Sequence, residues 1–401
     1  MQSDFLFENE KIDFTVEKGP NPTQASDDAL NERYNAGAVR IVTEQARYPL
    51  PQIPQMVASS DYRLDPDFQR RHRWDNIKKS RLIESFIINV PIPPVFLYEV
   101  GYAKYEVMDG LQRLTTISDF YQSKLILAGL EEWPELNGRT YETLPEAVRR
   151  GVDRRYLSSV VLMRETASDP TEAQRLKQLV FERINSGGVS LSDQESRNAI
   201  FDGKMNRLCI KLSRTPALCR TWGIPEPDET ELAGGEINEI TRENDIFRRM
   251  DDVELVLRFF AYRQRLLNQD GPLKIFMDIY LQRANLFTEE VLSALEGLFR
   301  NTIDLACQLL GEEAFFLWRK RTTGWLWYRR PTTVVYDPLM FALSQFLDRS
   351  ENLIAKKDEI VRAIRDLYET ENSQFQGRYT NRENLRVRND LFFKLFESIL
   401  S

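Results

Sequence analysis

The sequence predicts an α+β protein, with a mixed α/β domain followed by an all-helical one. Three observations carry that division. Between Gly37 and Phe201, short β-rich runs alternate with stretches of helical spacing. Beyond Asp202 strand signals nearly vanish, and segments such as 253–268, 288–310 and 352–368 keep a helical apolar period. Within the second regime, Pro225–Gly235 (PEPDETELAGG) reads as an acidic connection. The expected organisation is therefore an acidic lead-in over 1–36, a mixed domain over 37–201 and a helical domain over 202–401.

Each element follows from local chemistry. Asp75–Asn89 (DNIKKSRLIESFIIN) spaces Leu82, Ile83, Phe86 and Ile87 as a helical stripe, with Asp75 as N-cap. Pro91, Pro93 and Pro94 stop it, because the residue before a proline avoids the helical region. Val95–Val100, a turn at Gly101 and Tyr105–Met108 read as a β-hairpin. Leu114–Leu127 continues as a helix, and Tyr156–Met163 is a β-rich strand. Thr171–Ile184 is a helix closed by Asn185-Ser186-Gly187-Gly188. Ser192-Asp193-Gln194-Glu195 is a capping box that starts another helix.

Composition removes whole classes of function. The 401 residues are 42% hydrophobic and carry a formal net charge of -7, so bulk charge does not draw the chain to nucleic acid. Any such binding needs a local basic patch. Cys209, Cys219 and Cys307 form neither a CxxC pair nor a disulfide ladder, which suits a reducing cytoplasm. The acidic opening, MQSDFLFENEKIDF, has no apolar run of the secretory kind, and no stretch approaches a membrane span. With one histidine, His72, the chain cannot assemble a His-built zinc site or an HNH nuclease centre, and no metal site is expected.

Four motifs could carry chemistry. In YEVMDGLQRLTTI a strand breaks at Asp109-Gly110 and restarts as a helix. The opening amides of that helix and its dipole suit an anion. Arg113 could fork onto phosphate oxygens, Gln112 could orient a water or a ribose, and Asp109 could cap the helix or hold a metal between phosphates. An ordinary capped helix start reads the same way. The second motif is DFQRRHRWD with its continuation: Gln69, Arg70, Arg71, Arg73, Lys78 and Lys79 interleave with aromatics as in a nucleic-acid surface, or form a solvated edge. In FERINSGGVSLSDQESRN, Arg183, Asn185, Arg197 and Asn198 flank a Gly-Gly turn and could converge on one pocket edge; a plain helix corner would look alike. Last, FLWRKRTTGWLWYRRP mixes Trp318, Trp325 and Trp327 with Arg319, Lys320, Arg321, Arg329 and Arg330 and holds no acid. It suits nucleic acid, or a tryptophan-anchored turn between helices.

In this order, FQRRHRW, SRLIESFIINVPIPPVFLYE, VMDGLQRLTTI and FERINSGGVSLSDQESRNAI resemble the N-terminal domain of GmrSD-type restriction proteins of bacterial and archaeal anti-phage systems. The resemblance implies a ParB/sulfiredoxin-like fold for the mixed domain. It also implies a nucleoside triphosphate at Asp109–Arg113, with Asp109, Gln112 and Arg113 in hydrolysis and Gln69, Arg70, Gly110, Arg183, Asn185, Arg197 and Asn198 around the nucleotide. Mg2+ would assist. The family's usual corner is Asp-Gly-Gln-Gln-Arg, and this chain has Leu111 where the first Gln is expected, which puts hydrolysis in question more than binding. The implied partners are DNA, modified or not, and a separate HNH-type nuclease. The DNA surface would comprise Arg71, Arg73, Lys78, Lys79, Arg319, Lys320, Arg321, Trp325, Trp327, Arg329 and Arg330. Helical C-terminal regions commonly pair, so a homodimer is one assembly open to the chain. The competing reading is a DNA-binding or scaffold module without chemistry.

Overall fold

The computed structural model describes residues 5–14, 26–35, 41–64, 71, 74–163, 170–185, 192–235, 237–267, 271–322, 324–375 and 382–401. The chain divides into two compact units: Glu17–Leu191, and Met1–Val16 joined with Ser192–Ser401.

The first unit is built on a five-stranded sheet. Its strands are β1 (Thr43–Pro49), β2 (Tyr62–Arg63), β3 (Val95–Gly101), β4 (Lys104–Asp109) and β5 (Tyr156–Leu162), in the order β1-β5-β3-β4-β2. β1 runs antiparallel to β5, β5 parallel to β3, β3 antiparallel to β4, and β4 parallel to β2. The expected β3–β4 hairpin is present, and its register sets Phe96 opposite Asp109. The C-terminal end of β4 therefore lies beside the start of β3. Helices α1 (Asp27–Asn35), α2 (Ile53–Ala58), α3 (Asn76–Ile87), α4 (Leu111–Tyr121), α5 (Glu146–Asp153) and α6 (Pro170–Asn185) complete the unit.

Asp75 caps α3 as expected, accepting from the Lys78 amide at 2.7 Å. α3 buries Leu82, Ile83 and Phe86, and α4 buries Leu114, Ile117 and Phe120, in one core with Val95 and Leu97 of the sheet. Such burial contributes about 1.5–3 kcal/mol per large side chain. One buried acid in α3 escapes the apolar pattern. Glu84 accepts from the amides of Glu132 and Trp133 at 2.8 and 2.9 Å and of Glu131 at 3.3 Å, ordering that loop. Glu84→Ala strands those donors, and a loss of about 1–3 kcal/mol is expected, read as a lower urea midpoint.

The second unit is mainly helical, with three corrections to the expected plan. Residues 5–14 are not a loose lead-in. Glu10 is 0% exposed and Ile12 5%, and the segment is bound to the helix Asp251–Arg265. The helix Asp193–Ile200, with its Ser192–Glu195 capping box, belongs to this unit, so the division falls after Leu191 rather than after Phe201. The region is also not all-helical. β6 (Leu317–Arg321) and β7 (Gly324–Tyr328) form an antiparallel hairpin where an all-helical domain was expected. Its Trp, Leu and Tyr content has high β propensity, and Gly324 takes the positive φ, 115°, that a tight hairpin favours.

Candidate functional site

The corner at Asp109–Arg113 is assembled from three chain segments. β4 ends at Asp109, and Gly110 takes a left-handed backbone, φ 96° and ψ 12°, to launch α4. No L side chain adopts that conformation cheaply. A Cβ there would also sit 2.3 Å from Val95 Cγ1 and 2.9 Å from Arg113 Nη2. The glycine is thus required by its own backbone and by close packing of β3. The space beside its Cα, expected to admit a phosphate, is filled by Val95 and Arg113.

Arg113 is 14% exposed and folds back across the corner. Its Nη2 donates to Asp109 Oδ2 at 2.6 Å and to the Pro94 carbonyl at 3.2 Å. The prolines that stop α3 therefore also supply a carbonyl that holds the arginine. Arg113 Nε is buried without an acceptor. Gly110 offers no side-chain cap to the opening amides of α4. Gln112 Oε1 accepts the Trp74 amide at 3.1 Å, tying the chain before α3 to this helix start. Leu111 is buried at 9% exposure and adds no polar group. The corner accordingly offers more donors than acceptors, beside one carboxylate that is 38% exposed.

Supporting residues lie one step further along β4. Lys177 of α6 pairs with Glu106 at 2.6 Å, with side chains 8% and 15% exposed, and approaches the Tyr98 ring at 5.9 Å. Tyr105 stacks on Tyr62 at 5.2 Å, and burial pushes both phenols above their usual range. Glu106 and Lys177 were missed in the sequence, where Trp74 reads as a base-stacking aromatic and Pro94 as a helix stop. A half-buried Glu inside an otherwise apolar strand does signal a cationic partner, although it does not say which one.

The remaining expected residues divide sharply. Gln69, Arg70 and Arg73 lie outside the described residues, as does the side chain of Asn185. Arg183 is exposed near the end of α6. Arg197 and Asn198 are interior residues of the helical unit. Arg197 is 3% exposed between Glu254 at 2.9 Å and Asp278 at 2.6 Å, while Asn198 bonds Gln194 and Met250. Both side chains are buried and bonded within the helical interior, which gives them packing roles.

The basic strip before and within α3 is also corrected. Arg71 is buried and partnered, and Lys79 bridges to Asp119 of α4 at 2.8 Å, 20% exposed. Lys78, 68% exposed and 4.0 Å from Asp75, and Arg81, 55% exposed and paired with Glu131, keep the character of surface cations. In the helical unit, Trp327 packs edge-on to Trp318 at 5.3 Å and Trp325 pairs across the hairpin with Lys320. Among the described residues no group of three metal-ligating side chains occurs, and no helix is long and apolar enough to cross a membrane.

Residues 53–201 match the family model described as GmrSD restriction endonuclease, N-terminal domain. No curated protein and no solved structure matches the chain. The matched segment contains β2 to β5, the Asp109–Arg113 corner and the helix Asp193–Ile200. Through that segment the chain carries the N-terminal domain of the GmrSD-type restriction proteins.

Proposed function

We propose that the Asp109–Arg113 corner binds the polyphosphate of a nucleoside triphosphate, and that the chain is the nucleotide-responsive subunit of a restriction system. The observation that carries this is the surplus of donors at one point. Uncapped opening amides of α4 stand beside an arginine whose buried Nε lacks an acceptor. Phosphate oxygens are the acceptors such a point lacks. Gln112, bound through Oε1 alone among the described residues, keeps its amide nitrogen for a phosphate or ribose oxygen. Entry of the anion would exchange Asp109 for a phosphate as the partner of Arg113.

Hydrolysis at this corner would be phosphoryl transfer to water. The water oxygen bonds to the γ-phosphorus as the bridging β–γ oxygen leaves with the diphosphate. Arg113 stabilises charge on the transferred group, and Gln112 orients the water. Asp109 Oδ1, not engaged by Arg113, fits the single carboxylate contact that Mg2+ takes when phosphates supply the rest. An Mg2+ held by Asp109 would supply neutralisation of phosphate charge. The five-stranded mixed sheet is the frame for the ParB/sulfiredoxin-like reading, and the family's restriction role supports a separate nuclease acting on DNA. Three unpaired cysteines agree with a reducing cytoplasm.

Calorimetry with ATP, GTP and their non-hydrolysable analogues tests the site. Arg113→Ala is expected to weaken binding by about 10-fold or more, the worth of one charge-assisted contact. Equal affinity of wild type and variant for every triphosphate would remove the site. A second reading, binding without turnover, is favoured by the buried, apolar Leu111 at the first helical position. Under it, wild type binds but releases no phosphate, and Leu111→Gln gains measurable hydrolysis.

A further inference from the structure

The β6–β7 hairpin lies outside the family-matched segment, and its side chains sort by face. Cross-strand register pairs Trp318 with Trp327 and Lys320 with Trp325 on one face. Arg319 pairs with Leu326, and Arg321 with Gly324, on the other. The first face packs on the helix Lys357–Thr370. Trp318 Nε1 donates to Glu369 at 2.7 Å, the Arg365 guanidinium lies 4.2 Å over the Trp318 ring, and Trp327 meets Tyr368 at 6.5 Å. Trp318 and Trp327 are therefore anchors, and not platforms for bases.

The charge is left over. Lys320, Arg321, Arg329 and Arg330 are exposed, and Arg319 lies 5.7 Å from the Tyr328 ring. Among the described residues none of these five cations has an ion pair, in contrast to Lys204, Arg207 and Lys211, which all have one. A protein of net charge -7 thus concentrates unneutralised positive charge on one ribbon. A two-stranded ribbon has the width that enters the major groove of a duplex. Cations along its edge and base would then reach the flanking phosphates.

We infer that the β6–β7 hairpin is a duplex-DNA contact held by phosphate charge, distinct from the corner at Gly110. Phosphate contact fits better than base stacking because two of the three tryptophans are committed to the helix beneath. The contact does not rest on the nucleotide reading. Arg113→Ala leaves it intact, and hairpin variants leave triphosphate affinity intact.

The test is the salt dependence of binding of the full chain to a short labelled DNA duplex. Each phosphate contact adds about 0.9 to the slope of log affinity against log salt. Removing Lys320, Arg321, Arg329 and Arg330 together should lower the slope by about 3 and weaken binding at low salt. Substitution of Lys204, Arg207 and Lys211 should change it by less than about one. Exposed substitutions of this kind shift stability little, and an unchanged urea midpoint confirms folding. As a second variant, Lys320→Glu/Arg321→Glu should abolish binding at a salt concentration where wild type still binds. An unchanged slope in the four-residue variant would overturn the inference. So would duplex binding too weak to show any salt slope, or preference for an RNA duplex or a single strand over the DNA duplex.

Discussion

Replacing Glu10 by alanine is expected to destabilise the helical unit by about 3–5 kcal/mol, the usual result of breaking a buried ion pair from one side. Glu10 is 0% and Arg263 1% exposed. Arg263 Nε and Nη2 reach the two carboxylate oxygens at 3.0 and 2.8 Å, and the Phe7 amide adds a bond at 2.8 Å. The next residue on the helix closes the contact, since Gln264 Oε1 accepts the Ile12 amide at 2.8 Å. Phe5 packs on Phe341 and Phe14 stacks on Phe276 at 4.2 Å. Without Glu10 the guanidinium stays buried with no counter-charge, and the strap loses its central tie. Hydrogen exchange along Asp251–Arg265 is the direct measurement, because it reports this unit separately from the sheet unit. A loss below about 1 kcal/mol would show the strap to be an accessory rather than part of the core.

Gly110→Ala should cost about 2–4 kcal/mol in the sheet unit and remove triphosphate binding with it. Two penalties combine. Alanine at φ 96° is strained, and its methyl would meet Val95 Cγ1 at 2.3 Å. Relief requires β3 and α4 to part at the point where Arg113 bridges Asp109 and the Pro94 carbonyl. Val95→Ala combined with Gly110→Ala separates the penalties. The double variant should recover part of the loss despite the cavity left by valine, a coupling of opposite sign to simple addition. A Gly110→Ala protein with wild-type urea midpoint would mean that the corner is not built as described.

These predictions draw on different kinds of information. The Gly110 turn, the β3–β4 hairpin, the Asp75 cap and the Ser192–Glu195 box depend on residues within a few positions of one another. They were legible because backbone preference and capping are local chemistry. Glu10 with Arg263 was not legible, nor was Lys177 with Glu106, since a charged residue advertises a need for a partner without naming it. Arg197 shows the opposite failure. Its place beside a Gly-Gly turn suggested a pocket edge, whereas Glu254 and Asp278 claim it for the helical interior. The hairpin was half legible: its charge was plain, but its tryptophans looked free until Glu369, Arg365 and Tyr368 were seen against them.

By itself, the order of residues determined a mixed α/β segment ahead of a helical one, a glycine-launched helix with Gln112 and Arg113 in its first turn, and an acid-free basic stretch near Trp318. Only the tertiary structure decided that the first residues belong with the last two hundred, that Arg71 and Lys79 serve the fold, and that Arg113 rests on Asp109 beside a buried Val95. The physical reason is range. Backbone conformation is decided over one or two turns of chain. Burial and charge pairing are decided by whatever distant segment the fold brings within about 4 Å.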